Sequence, residues 1–156
     1  MITIRAVENS DLVALQTVID TTTLFPSELL EGMLKDYFTN PSSHDIWLTV
    51  EINQMPIAIA YCAPERLTDG THNLYLIAVH KDFRDTGIGA ALILHVEELL
   101  RERGIRILLV ETSGLPDFER TRAFYLKCNY TKEAVIRDFY KEGEDKVIFW
   151  KKLTVE

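Results

Sequence analysis

The 156-residue chain has little of what marks several protein classes. Its two cysteines, Cys62 and Cys128, stand far apart with no C-x-x-C and no metal-ligand spacing. That excludes a disulfide scaffold and fits free buried thiols in a reducing compartment. Long apolar runs are missing too: the longest stretch, Met55 to Pro64, falls well short of the ~18 residues that a membrane span needs. The opening residues, Met1 to Arg5, lack the basic-then-apolar build of a secretory signal, so a soluble cytoplasmic protein is expected. A basic surplus is also absent, with 17 Lys and Arg against 24 Asp and Glu and a net charge of -7. The deficit lies in residues 1–78, which hold 3 basic and 10 acidic side chains, whereas residues 79–156 hold 14 of each. Nucleic-acid binding needs a basic footprint, so no nucleic-acid partner is expected. An acidic half either draws a cationic substrate or simply keeps the chain soluble.

What the chain does have is an average globular composition, 47% hydrophobic and 26% charged, at a length that favours one domain over residues 1–156. Ile2 to Val7 alternates as a strand, and Asn9-Ser10-Asp11 offers caps for a helix reaching about Thr23. A second helix is expected from Ser27 to about Phe38. Trp47 to Ile52 and Ile57 to Cys62 are strand-like around the turn Asn53 to Pro56, and His72 to His80 is strand-like after a loop. The strongest helical pattern runs from Gly87 to Arg103, with Ile88, Leu92, Val96 and Leu99 at helical spacing and Gly104 at the end. Ile105 to Glu111 is a near-continuous apolar strand, Glu119 to Lys127 a short helix, and Val135 to Tyr140 with Lys146 to Leu153 a closing strand pair. The order β-α-α-β-β-β-α-β-α-β-β predicts an α/β fold in which helices cover both faces of a mixed sheet.

Chemistry concentrates where a strand gives way to a helix through Arg84-Asp85-Thr86-Gly87-Ile88-Gly89-Ala90. Glycines at 87 and 89 remove Cβ atoms where the backbone turns, so amides at the helix start can approach an anion. A phosphate is the natural guest. The P-loop pattern G-x-x-x-x-G-K-[ST] is absent, and the dinucleotide fingerprint fails because Leu92 stands where its third glycine belongs. By itself the glycine pair is equally a tight turn with close helix packing.

A second element changes that balance. Arg84-x-x-Gly87-x-Gly89 opening a helix, followed later by Phe124-Tyr125 in a short helix, resembles the GNAT superfamily of acetyl-CoA-dependent N-acetyltransferases. The resemblance implies a single GNAT-like domain with a mostly antiparallel sheet, splayed between the fourth and fifth strands. It further implies acetyl-CoA as cofactor, its pyrophosphate on the amides of Arg84, Asp85, Thr86, Gly87, Ile88, Gly89 and Ala90. The pantetheine arm would pair with the backbone of Ile77, Ala78 and Val79, and an amide near Ile77 or Ala78 would face the thioester oxyanion. Departures from the pattern are Asp85 beside the expected pyrophosphate, Asn129 in place of a glycine, and Phe118 where an asparagine is common. Asn129 tolerates the left-handed conformation that turn requires.

Tyr125 is the expected acid, since a phenol of pKa ~10 can protonate a thiolate whose thiol has pKa ~8.5. Phe124 is read as core. The acceptor amine, of pKa ~10.4, must lose a proton first, at a cost of ~4.6 kcal/mol at neutral pH. The family's usual glutamate, eleven positions ahead of the arginine, is Asn73 here, with His72 and Tyr75 as neighbours. Glu111, at the end of a buried strand, is the expected base, or else it pairs with a nearby Arg or caps loop amides. The acceptor would be a primary amine on a cationic small molecule or an amino terminus, bound around Leu24 to Tyr37 and the loops at 64–70 and 113–118. No metal site is expected, and a homodimer through the closing strands is left open. The rival readings are an acyl-CoA-binding sensor or partner module without catalysis, and a structural protein with a vestigial fold.

Overall fold

A computed structural model describes residues 1–154. In chain order the elements are β1 (Ile2–Ala6), α1 (Leu12–Asp20), α2 (Leu30–Thr39), β2 (Ile46–Ile52), β3 (Met55–Pro64), β4 (Thr71–Val79), α3 (Ile88–Glu102), β5 (Ile107–Ser113), α4 (Glu119–Lys127), β6 (Thr131–Lys141) and β7 (Glu144–Lys152). The order of strands and helices is the one the sequence predicts. The sheet runs β1-β2-β3-β4-β5-β7-β6, with β4 parallel to β5 and the pairs β1–β2, β2–β3, β5–β7 and β6–β7 antiparallel. Pairing of β4 with β5 covers only Thr71↔Ile107 to Leu74↔Val110, while β4 runs on to Val79 and β5 to Ser113. This is the expected splay between the fourth and fifth strands.

The chain divides into two compact units, Met1–Ala63 with Leu76–Val96, and Pro64–Tyr75 with Glu97–Glu156. In the first, α1 and α2 bury Leu15, Val18, Ile19, Leu30 and Leu34 with Val7, Trp47, Ile59, Leu76 and Ala78. Full burial of such a side chain stabilises by about 1.5–3 kcal/mol relative to exposure. Arg5 forms a two-pronged pair with Asp11 at 2.8 and 2.9 Å and reaches Glu51 at 2.9 Å. Asp11 is 5% exposed, and the Arg5 hydrogen bonds hold its carboxyl below the usual range against the opposing effect of burial. The β2–β3 turn is tighter than expected. Asn53 and Gln54 both have positive φ, 50° and 65°, the two-residue turn whose twist suits a hairpin, so β3 already starts at Met55.

In the second unit, β5 starts at Ile107 rather than Ile105. The reason is the end of α3: Gly104 has φ 76°, its N–H reaches Arg101 O at 3.0 Å, and Ile105 N–H reaches Leu100 O at 2.9 Å. These two bonds make a Schellman cap, which takes Ile105 out of the strand. The unit's buried residues include Leu100, Leu108, Val110, Tyr125, Tyr130, Val147 and Phe149. Among them sits a charge: Glu97, 1% exposed, accepts from Tyr130 Oη at 2.7 Å and Lys151 Nζ at 3.0 Å, with Arg101 Nη2 at 3.5 Å. Glu97 and Arg101 stand at i,i+4 on α3, the carboxylate buried and the guanidinium side chain 39% exposed. Strand β6 starts at Thr131, four residues earlier than the alternation at Val135 suggests, because Thr131 and Lys132 pair through the backbone with Trp150 and Phe149.

Candidate active site

The loop between β4 and α3 is built from within the first unit. Phe83 N–H closes a 3-10 turn on His80 O at 2.9 Å, and His80 Nδ1 accepts from Asp82 N–H at 3.1 Å. Thr86 Oγ1 donates to Phe83 O at 2.5 Å. The end of α1 anchors the loop, since Thr21 Oγ1 accepts from Lys81 N–H at 3.2 Å and Thr21 O accepts from Arg84 Nη2 at 3.3 Å. Asp85 and Gly87 then adopt positive φ, 61° and 83°. Arg84 to Gly87 are exposed and Ile88 is buried under the first turn of α3. The first amides of a helix have no intrahelical acceptor and carry its positive dipole end. A Cβ built on Gly87 meets nothing within 4 Å, so this glycine serves the backbone angle and the space beside it is open.

Just upstream on β4, Leu76 and Ala78 face the core, whereas Ile77 and Val79 are half-buried on the other side. His80 N–H bonds Ile57 O at 2.8 Å where β4 ends.

In the second unit, Arg122 Nη1 donates to Ser113 O at 2.7 Å and Leu115 O at 2.9 Å, which ties α4 to the end of β5. Helix α4 ends in another Schellman cap. Asn129 has φ 69°, its N–H reaches Leu126 O at 3.1 Å, and Tyr130 N–H reaches Tyr125 O at 3.0 Å. Asparagine thus fills the left-handed position, as its chemistry predicts. The Tyr125 ring is 3% exposed, with Tyr130 at 6.1 Å and Phe149 and Phe124 each at 5.4 Å between centroids. Burial, with a smaller contribution from Cys128, raises its phenol well above the ordinary value of 10.0. Phe124, read as core, is only half-buried. Of the two cysteines, neither of them in a disulfide, Cys62 is buried and Cys128 half-buried.

Glu111 lies on β5 opposite Ile148 and pairs with Lys146 Nζ at 3.1 Å. Lys146 also sits 3.7 Å from the centre of the Phe139 ring. Glu111 is thus in an ion pair, with a lysine where an arginine was expected. A carboxylate that the sequence reading passed over, Glu65, accepts from Asn73 Nδ2 at 3.0 Å and Tyr75 Oη at 2.6 Å. The 64–70 loop returns onto β4, where Glu65 N–H reaches Thr71 O at 2.9 Å. Among the described residues no group of three or more His, Cys, Asp or Glu is placed to hold a metal ion. Nor is any described helix long and apolar enough to cross a membrane.

A family model described as the acetyltransferase (GNAT) family matches residues 14–130. The chain belongs to this family. Among curated proteins no sequence matches. Among solved structures, a GNAT-family protein from Desulfovibrio desulfuricans is similar at TM-score 0.92 and 26% identity, over 99% of this chain and 100% of that one. The ribosomal-protein-S18-alanine N-acetyltransferase of Escherichia coli shares the fold at TM-score 0.79 and 22% identity, over 100% and 96% of the two chains. An aminoglycoside 6'-N-acetyltransferase, solved with coenzyme A, does so at TM-score 0.79 and 15% identity, over 99% and 98%.

A GNAT acetyltransferase needs a place for an anionic, amide-bearing cofactor, and the residues present fit one. The exposed 84–87 loop leads into the free amides of α3, with open space at Gly87. Asp85, exposed within that loop, carries the same sign of charge as that cofactor.

Proposed function

We propose that this GNAT protein transfers the acetyl group of acetyl-CoA to a primary amine by direct attack. The observation that carries the reading is the positive-φ loop at 85–87 opening α3, in a chain matched to the family across that segment. Amides from Arg84 to Ala90 hold the pyrophosphate, and the backbone of Ile77, Ala78 and Val79 holds the pantetheine arm. When bound, acetyl-CoA supplies the thioester whose carbonyl carbon accepts the amine's electron pair. An N–H near Ile77 or Ala78 is a donor for the carbonyl oxygen as it gains charge.

Tyr125 holds its proton at Oη throughout the working pH range, because burial disfavours the phenolate. It offers that proton to the sulfur as the C–S bond breaks. Since burial widens the gap between phenol and thiol, its contribution is a hydrogen bond that strengthens as thiolate charge develops. Glu111 already has its charge paired with Lys146 through one carboxylate oxygen, which makes it the weaker of two carboxylate candidates. The acceptor is a cationic amine. Supporting this are Glu28, Glu31 and Asp36, exposed beside exposed Leu29 and Met33 on and before α2.

Coenzyme A at 100 times its dissociation constant should stabilise the protein by about 2.7 kcal/mol in a melting experiment. Thiol release with a panel of amines tests transfer. Tyr125→Phe should lower kcat about 100-fold at unchanged coenzyme A affinity, whereas unchanged kcat rejects the acid role. Coenzyme A binding with no thiol release for any amine would instead mark an acyl-CoA-binding module.

A further inference from the structure

Glu65, half-buried, opens the loop between β3 and β4, and the loop is fastened at several points. Thr68 Oγ1 donates to Glu65 O at 3.0 Å, Arg106 Nε to Asp69 O at 2.8 Å, and Arg106 N–H to Gly70 O at 2.8 Å. These bonds bring the carboxylate back over β4. Asn73 and Tyr75, two apart on that strand, share one face, and both donate to the same oxygen, Glu65 Oε1. The three groups span a gradient of exposure, with Asn73 at 0% and Tyr75 at 49%.

Two details set this carboxylate apart from Glu111. Its donors are neutral, an amide and a phenol, so they orient Glu65 without cancelling its charge, whereas Glu111 faces the ammonium of Lys146. Further, the fully buried Asn73 Oδ1 has no hydrogen-bond donor among the described residues. A buried amide oxygen is ordinarily satisfied, and an ammonium brings three N–H donors. The cluster therefore combines a fixed anion, an unfilled buried acceptor and a half-exposed phenol, which is the chemistry that binds and deprotonates an amine.

We propose that Glu65 is the proton acceptor for the substrate amine, with Asn73 and Tyr75 as the residues that position it. This rests on the acetyltransferase reading above and names its base. One N–H bond of the acceptor ammonium breaks, its proton passing to a Glu65 carboxylate oxygen and its electron pair staying on nitrogen. That pair forms the N–C bond to the acetyl carbon as the C=O π pair moves onto oxygen, and the return of that pair then breaks the C–S bond, whose electrons leave on sulfur. The thiolate takes one proton, the new amide nitrogen loses one, and the proton on Glu65 returns to solvent. An ammonium and a thioester thus give an amide, a thiol and one proton.

The test is acetyl transfer by wild type, Glu65→Gln, Tyr75→Phe and Glu111→Gln between pH 6 and 10, with calorimetric binding of the best acceptor in the absence of acetyl-CoA. Glu65→Gln should lose about 100-fold in kcat/KM at neutral pH. The loss should shrink as pH rises toward the acceptor's own pKa, where solvent supplies free amine. Its affinity for the acceptor should fall about tenfold, with coenzyme A affinity unchanged. Tyr75→Phe should lose less than tenfold and keep the wild-type pH profile. If melting shows Glu65→Gln to be unfolded, Glu65→Asp, which keeps the charge and shortens the reach, replaces it with the same expectation at smaller size. Wild-type transfer with the Glu65 variant unchanged in pH profile and acceptor affinity overturns this inference alone. A larger loss in Glu111→Gln overturns it in favour of Glu111. No transfer by wild type to any amine overturns the acetyltransferase reading and this inference together.

Discussion

The two compact units handle ionised groups in opposite ways. In the first, Arg5 bridges Asp11 and Glu51 at the edge of the sheet, with the guanidinium side chain still 27% exposed. In the second, Glu97 is 1% exposed within the apolar layer, and three donors converge on it. The partly exposed cluster keeps water as a fallback partner, so losing one member is tolerable. In the second, Glu97 has none, although Lys151 and Arg101, with side chains 17% and 39% exposed, keep theirs.

That contrast can be broken by mutation. The largest effect is expected for Glu97→Ala, which leaves Lys151 and Tyr130 facing an apolar gap. Loss of one member of a buried ion pair costs about 3–5 kcal/mol, read as a shift in the denaturant midpoint. A cost below about 1 kcal/mol, the level of a surface pair, would show that the cluster is solvated.

A smaller effect, and a pH-dependent one, is expected for Asp11→Asn. The folded-state pKa of Asp11 lies below its ordinary 3.8, so its contribution is fully present above that value and is lost as pH falls through the folded pKa. The variant should be less stable by about 1–2 kcal/mol at neutral pH, after allowance for the exposure of Arg5. The gap to wild type should close on acidification. A gap that stays constant to low pH would mean that the effect is packing and not charge.

The smallest effect is expected for Gly87→Ala. With open space around the position, only the left-handed backbone is penalised, at about 1 kcal/mol. Melting temperatures with and without coenzyme A separate this backbone cost from any loss of affinity.

How much of this could be seen in the sequence depends on the range of the forces involved. Local signals were legible: the alternation of β1, the apolar spacing of α3, Gly104 and Asn129 at helix ends, and the glycine loop before α3. Each is decided by residues within about one turn. The burial of Glu97 was not legible, because it is imposed by Tyr130 and Lys151, distant in the chain. Glu65 was missed for a similar reason. Its partners lie eight and ten residues ahead, across a loop whose closure no single residue announces. The late start of β5 was missed because Ile105, apolar and β-branched, is used as the hydrophobic residue of a helix cap.

The cap on α4 has a consequence for insertions and deletions. Tyr130 N–H clasps the carbonyl of Tyr125, so the four residues between them act as an index pin for the last turn. An α-helix advances about 100° per residue, and removing one residue from Leu126 to Asn129 would force the helix to rotate by that angle to keep its clasp. The phenol would then swing out of its aromatic niche while the composition of the segment stayed nearly the same. Length, more than side-chain identity, is what this short stretch must preserve.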